Sequence, residues 1–254
     1  MSRTLVAKEF RDIRWKLVVA FLLLVVVITV MIIIYEQLLE LLPADMSEMP
    51  FFFSSDALDS FRDYTDAMWW NFNDKNLIQF GCILAIVLGI GLLAPEIESG
   101  TITLLLTNGV SRKRAFWTKA LLAAASIVVV FVTAGVLIIP LSSLFGYSLR
   151  HFRQIPATFI TALGMTSVFA VSLLISLFAK DRIWSGVISA ILFGAWSVLG
   201  FWESTRAFSP FFHMRATDYF FGRANFPWVV AVGFILVTMA VLLLAEHRFV
   251  REDL

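Results

Sequence analysis

Six stretches of this chain carry no Asp, Glu, Lys, Arg or His, and together they decide its class. They lie between Lys16 and Glu36, Lys75 and Glu96, Lys119 and Arg150, Arg153 and Lys180, Arg182 and Glu203, and Arg223 and Glu246. Their lengths are 19, 20, 30, 26, 20 and 22 residues. A helix needs about 20 residues to cross the hydrocarbon core of a bilayer, so each run is long enough. Composition agrees, at 59% hydrophobic and only 15% charged over 254 residues, where a soluble domain carries about 25% charge. The expectation is an all-α, polytopic membrane protein. It has one domain over residues 1–254 and six transmembrane helices at 17–35, 76–95, 119–140, 156–179, 183–202 and 226–245.

The segments between the spans set the orientation. With six spans both termini share a side. That side collects thirteen Lys and Arg, from the arm before the first span, the loop from Glu96 to Lys119, the Lys180–Arg182 turn and the tail. The other side has seven. The positive-inside tendency then places both termini in the cytoplasm of a cell-membrane protein. No small-residue cleavage site follows the first run, so a retained span is expected rather than a cleaved leader. Cys82, the single cysteine, reads as a small packing residue.

Several of these segments have patterns of their own. In the arm 1–16, Val6, Phe10, Ile13 and Leu17 recur at helical spacing, with Lys8, Arg11 and Asp12 opposite. This predicts an amphipathic helix in the membrane interface. The outer loop 36–75 predicts a surface helix over 56–70, N-capped by Ser55, with Trp69 and Trp70 in the aromatic belt. The outer segment 203–225 has apolar pieces too short to span and too aromatic for a solvated loop. Short helices dipping into the outer leaflet are expected, with Phe208, Phe211, Phe212, Tyr219 and Phe220 as an outer gate. His213 within it has no second histidine or carboxylate at metal spacing, so it reads as a belt residue and no metal site is expected. The third run would measure about 45 Å as a helix and contains Pro140, which predicts a span ending or bending near that residue.

The same text narrows the function. A carrier coupled to an ion gradient usually keeps an ionisable group in the bilayer, and these runs have none. There is no intramembrane protease pattern, and nothing resembles the GxxxxGK[ST] nucleotide loop. No catalytic residue is assigned, and the source of energy is expected on another polypeptide. The loop "APEIESGTITLLLTNGVSRKR" supplies the means of reaching it. Pro95 and two acids suit a helix start. Leu104, Leu105 and Leu106 make an apolar knob, Asn108-Gly109 a stop, and Ser111 a cap for the next helix, which carries Arg112, Lys113 and Arg114. Exposed to water the knob is unfavourable, whereas a groove in a soluble partner would bury it.

These residues resemble the permease subunits of the type-2 ABC exporter family. The pattern E-x-E-x-G-T-x-x-x-L-L of that family is met here by Glu96, Glu98, Gly100, Thr101, Leu105 and Leu106, followed by Ser111-Arg112 and Lys119. The arm "KEFRDIRWK" is similar to the family's elbow helix. The ending "HRFVREDL" is similar to its usual finish, with Glu252 where a base is common. The resemblance implies a membrane subunit that dimerises, as homo- or heterodimer, and pairs with two copies of a separate ATP-binding subunit. ATP and magnesium would sit on that partner, with no cofactor in this chain and no nucleic acid involved. It also implies that the loop is the coupling helix, engaging the ATPase through Glu96, Glu98, Gly100, Thr101, Leu104, Leu105, Leu106, Arg112, Arg114 and Lys119. The aromatic pieces before the last span would be re-entrant outer helices, and lipid the surrounding partner. The reading set against this one is an unpowered membrane scaffold or channel subunit.

Overall fold

The structure is a computed structural model and describes residues 3–41, 62–95, 111–149, 151–179 and 181–251. Among the described residues there is no strand, and six helices are long and apolar enough to cross a membrane. In chain order the elements are α1 (Arg3–Ile33), α2 (Tyr35–Leu41), α3 (Tyr64–Met68), a π-helical segment (Trp69–Leu77) and α4 (Ile78–Ile90). They continue with α5 (Arg112–Leu144), α6 (His151–Ala179), α7 (Arg182–Leu199), a 3-10 turn (Arg206–Phe208), α8 (Pro210–Met214), α9 (Thr217–Phe220) and α10 (Trp228–Arg251).

Helix α6 is the hub, packing against α4, α5, α7 and α10. Its most apolar stretch is 72% buried, against 17% for α7 and 22% for α1. Between spans the surrounding lipid is as apolar as leucine, so association depends on close packing and interhelical hydrogen bonds. The sequence of α6 supplies both. Ala157, Ala162 and Ala170 are fully buried, and its hydroxyls bond across to its neighbours. Thr161 donates to the Met214 carbonyl at 2.8 Å, and Ser167 lies 2.9 Å from the Thr238 hydroxyl of α10. On α4, Gly89 allows backbone contact with α6: an added Cβ would lie 2.8 Å from the Phe169 carbonyl oxygen.

Several expectations change in detail. The arm and the first span form one uninterrupted helix of 31 residues, rather than an interfacial element at 1–16 followed by a span. Its buried side is also not the expected one. Ile13 and Leu17 are buried, but they are joined by Glu9 at 3% exposure, while Phe10 is 49% exposed. Helix α5 passes through Pro140 and ends at Leu144; a spanning helix tolerates proline where neighbours satisfy the freed backbone group. The second span begins at Tyr64, capped by Asp63, whose side chain accepts from the Thr65 and Asp66 amides. Trp69 within it is 1% exposed and stacks on Phe220 at 3.9 Å, so it is a core residue and not part of an aromatic belt. Ser55 and residues 56–61 of the expected surface helix lie outside the described residues.

Candidate coupling site and the opposite aromatic segment

Glu96, Glu98, Gly100, Thr101, Leu104, Leu105 and Leu106 lie outside the described residues. The structure instead defines the two frames from which their loop hangs. Helix α4 ends at Ile90, and Gly91 follows it with the Lys16 ammonium close by: an added Cβ would lie 2.8 Å from Lys16 Nζ. A cation at that position is favourable, because the last carbonyls of a helix carry partial negative charge. The other frame is the start of α5. Ser111 caps it by accepting from the Arg114 amide, as its sequence position predicts.

From this start two ties run to other helices. Lys119 is 2% exposed and its Nζ sits 2.6 Å from Glu9 Oε2 of α1, which is itself 4% exposed in its side chain. Lys8 reaches the other Glu9 oxygen at 3.4 Å. The second tie uses Lys113 and Trp117, which share a face at the i, i+4 spacing. Glu246 of α10 receives both: Lys113 Nζ lies 3.1 Å from Oε1, and the Trp117 indole donates to Oε2 at 2.9 Å. Of the predicted coupling residues in α5, Lys119 is therefore a buried structural cation. Arg112 is partly exposed and Arg114 exposed, both in the first turn of α5 where the loop ends.

The chemistry of these ties is mechanical. Removing one partner of a buried ion pair costs about 3–5 kcal/mol, because an uncompensated charge is left behind. The entry of α5 is thus held to α1 and to α10 at once. Displacement of the loop would have to move those helices as well. Glu9 and Glu246 were not singled out from sequence, although a signal was present. Glu246 is the charge that closes the sixth uncharged run, Lys119 the one that opens the third, and Glu9 is an acid inside a basic arm.

At the opposite end the segment 203–225 forms the 3-10 turn, α8 and α9. The residues expected to form an outer gate differ in burial. Phe211 and Phe220 are buried, Phe212 and Tyr219 half-buried, and Phe208 is 75% exposed. Phe220 stacks on Trp69 of the π segment, and the Tyr219 carbonyl accepts from Arg153 of α6 at 2.6 Å. Arg215 Nε lies 3.0 Å from Asp74 Oδ1, an ion pair without an aligned hydrogen bond. Behind it, Gln154 donates to the Asn73 side-chain oxygen at 2.7 Å, and Asn73 donates to Thr158 at 3.1 Å. Ala216 joins α8 to α9 at φ 50, a left-handed conformation that a residue with a Cβ adopts at a cost. Sequence reasoning found the aromatic character of the segment but missed Asp74 and Arg153, which hold it to the spans, and Asn73 and Gln154, which tie the π segment to α6. His213 Nε2 lies 2.9 Å from the Ala207 carbonyl. No metal-binding cluster is present among the described residues.

Comparison with known families matches residues 3–254 to the one described as ABC-2 family transporter protein. No curated protein and no solved structure matches the chain.

Proposed function

Because the chain belongs to the ABC-2 family of transporter proteins, a family of membrane subunits that work with an ATP-binding partner, we propose that it is the permease subunit of an ATP-driven exporter. Two copies of a separate ATP-binding subunit, carrying ATP and magnesium, would serve a pair of permease subunits. Loop 96–110 would seat in a groove of the ATPase, with Leu104, Leu105 and Leu106 as the apolar anchor. Both termini would lie in the cytoplasm of the cell membrane with that loop, and the 203–225 segment would face outside.

The observation that carries this reading is the double tie at the start of α5. A loop that merely joined two spans would need no buried Glu9–Lys119 pair at 2.6 Å and no second anchor on Glu246. A loop that receives force needs a stiff root. Motion of the ATPase would enter through the leucine knob, reach α5 through Arg112–Lys119, and pass to α1 through Glu9 and to α10 through Glu246. On the α4 side the same displacement would run along the second span to the π segment, where Asp74 and Trp69 hold α8 and α9. Pi-helical turns occur often at functional sites, and this one joins the loop's own helix to the far segment.

The test is affinity purification of the tagged chain with the subunits that accompany it, followed by an ATPase assay. The wild type should bring down an ATP-hydrolysing subunit. Leu105→Asp should lose it, since a buried leucine contributes about 1.5–3 kcal/mol and a carboxylate there needs water. Equal recovery of ATPase with Leu105→Asp would reject the docking role of the loop.

A further inference from the structure

A cavity of about 410 Å³ opens between α6, α7, α8 and α10. That volume falls within the range of about 300–1,000 Å³ typical of small-molecule sites. Its wall includes Val171 of α6, Trp196 of α7, Met214 of α8 and Phe234 of α10. Polar atoms on the wall are already engaged. The Ser167 hydroxyl is bonded to the Phe234 carbonyl at 3.2 Å and to Thr238 at 2.9 Å, and His213 Nε2 lies 2.9 Å from the Ala207 carbonyl. A polar guest would find its own groups unmatched there, which is costly. A hydrocarbon would not.

Gly233 lines this space and leaves it open. A Cβ added at Gly81, Gly89 or Gly135 would come within 3 Å of a neighbouring helix, so those glycines serve close packing. At Gly233, which lines the cavity, an added Cβ would meet nothing within 4 Å. Size then chooses the occupant. One turn of helix, about 10 Å across and 5.4 Å tall, already occupies roughly 400 Å³. A span of a second copy cannot enter, whereas one flexible alkyl chain can. A nearby cation points to the rest of the molecule. Arg206 lies two residues before Phe208 of the wall, and its guanidinium sits 5.2 Å from the ring of Phe212. Its side chain is 49% exposed, and its ion pair to Glu203 is long, at 4.0 Å, with Glu203 93% exposed.

We propose that this cavity holds one acyl chain of an anionic phospholipid from the leaflet on the 203–225 side, with Arg206 at the headgroup phosphate. The lipid acts as a resident wedge beneath α8, and the site stands whether or not loop 96–110 docks an ATPase. The test uses the full chain in phosphatidylcholine bilayers doped with an anionic phospholipid that bears a diazirine on its acyl chain. After irradiation, adducts are mapped by mass spectrometry. Adducts should concentrate on Val171, Trp196 and Phe234. Gly233→Phe fills the cavity and should reduce them at least tenfold, while labelling of the exposed α1 residues Leu22 and Val26 stays unchanged as the control for correct insertion. Gly233→Leu, a smaller change, should give an intermediate reduction. Arg206→Ala should bring the preference for the anionic probe over its zwitterionic analogue down to about one. Equal labelling of the cavity in wild type and Gly233→Phe would overturn the proposal. So would a disulfide between two copies bearing Val237→Cys, since a second chain would then cover the cavity. An anionic preference unchanged in Arg206→Ala would remove the headgroup contact.

Discussion

Replacing Glu9 by glutamine should be the most damaging conservative change in the first helix. The variant keeps size and hydrogen-bonding capacity but removes the charge facing Lys119, whose side chain is 2% exposed at 2.6 Å. At that burial the change should cost about 3–5 kcal/mol, a large part of the 5–15 kcal/mol that holds a typical protein together. Lys119→Met should cost less, because Glu9 keeps Lys8 at 3.4 Å and lies closer to solvent along that side. Joining Glu9→Leu to Lys119→Met replaces the pair by apolar groups and should recover most of the loss, since such replacements of buried pairs are often neutral or better. The assay is equilibrium unfolding in mixed micelles of dodecyl maltoside and sodium dodecyl sulfate, followed by tryptophan fluorescence. Repeating it with added salt should change little, as a pair this buried is poorly screened. A Glu9→Gln variant within 0.5 kcal/mol of wild type would refute the argument, and so would a double variant no more stable than the worse single one.

Further outcomes follow from the rest of the structure. Phe220→Asp should lose the stack on Trp69 and bury a carboxylate. This should free α9 from the bundle and abolish transport while leaving insertion intact, whereas the same change at the exposed Phe208 should be tolerated. Normal transport by a well-expressed Phe220→Asp variant would exclude a working role for the segment. In a Cys82→Ala background, single cysteines at Ser54 or Ser204 should react with an impermeant thiol reagent outside intact cells and one at Ser111 should not; labelling of Ser111 would reverse the orientation. Burial, then the charge of Asp63, raises the Tyr35 phenol to about 12, and its bond to Glu36 raises Tyr147. The folded state thus keeps protons that the unfolded chain releases near pH 10. The stability these groups contribute is complete below pH 10 and is lost as pH rises toward 12. Absorbance titration of phenolate should show a step near pH 12 that Tyr35→Phe removes, and an ordinary tyrosine titration would contradict this.

The six spans were legible because lipid tolerates so little charge that their limits are written as charged residues. The ends of the elements were less so. Pro140 and the charged arm are boundaries in water but not where neighbouring helices satisfy the backbone. The face of α1 was misread for a related reason. Helical spacing places Glu9, Ile13 and Leu17 on one side as readily as Phe10, Ile13 and Leu17, and hydrophobicity favours Phe10. In a bilayer that preference inverts, since Phe10 can face lipid while Glu9 must find a partner inside. The partner, Lys119, lies 110 residues away, and no local periodicity encodes such a pair. Asp74 and Arg215 escaped notice in the same way, each reading as an ordinary charge in a loop outside the runs. The family pattern in the loop was readable because it is contiguous, from Glu96 to Leu106.

Seating of this loop on a separate ATPase is the step on which the proposed transport depends. A photoreactive p-benzoylphenylalanine in place of Leu105, irradiated in the native membrane, tests it most directly. One covalent adduct between this chain and an ATP-binding subunit is expected, with a yield that changes when ATP is trapped or removed. An adduct only to lipid or to a second copy of this chain, or none at all from a correctly inserted protein, would contradict it.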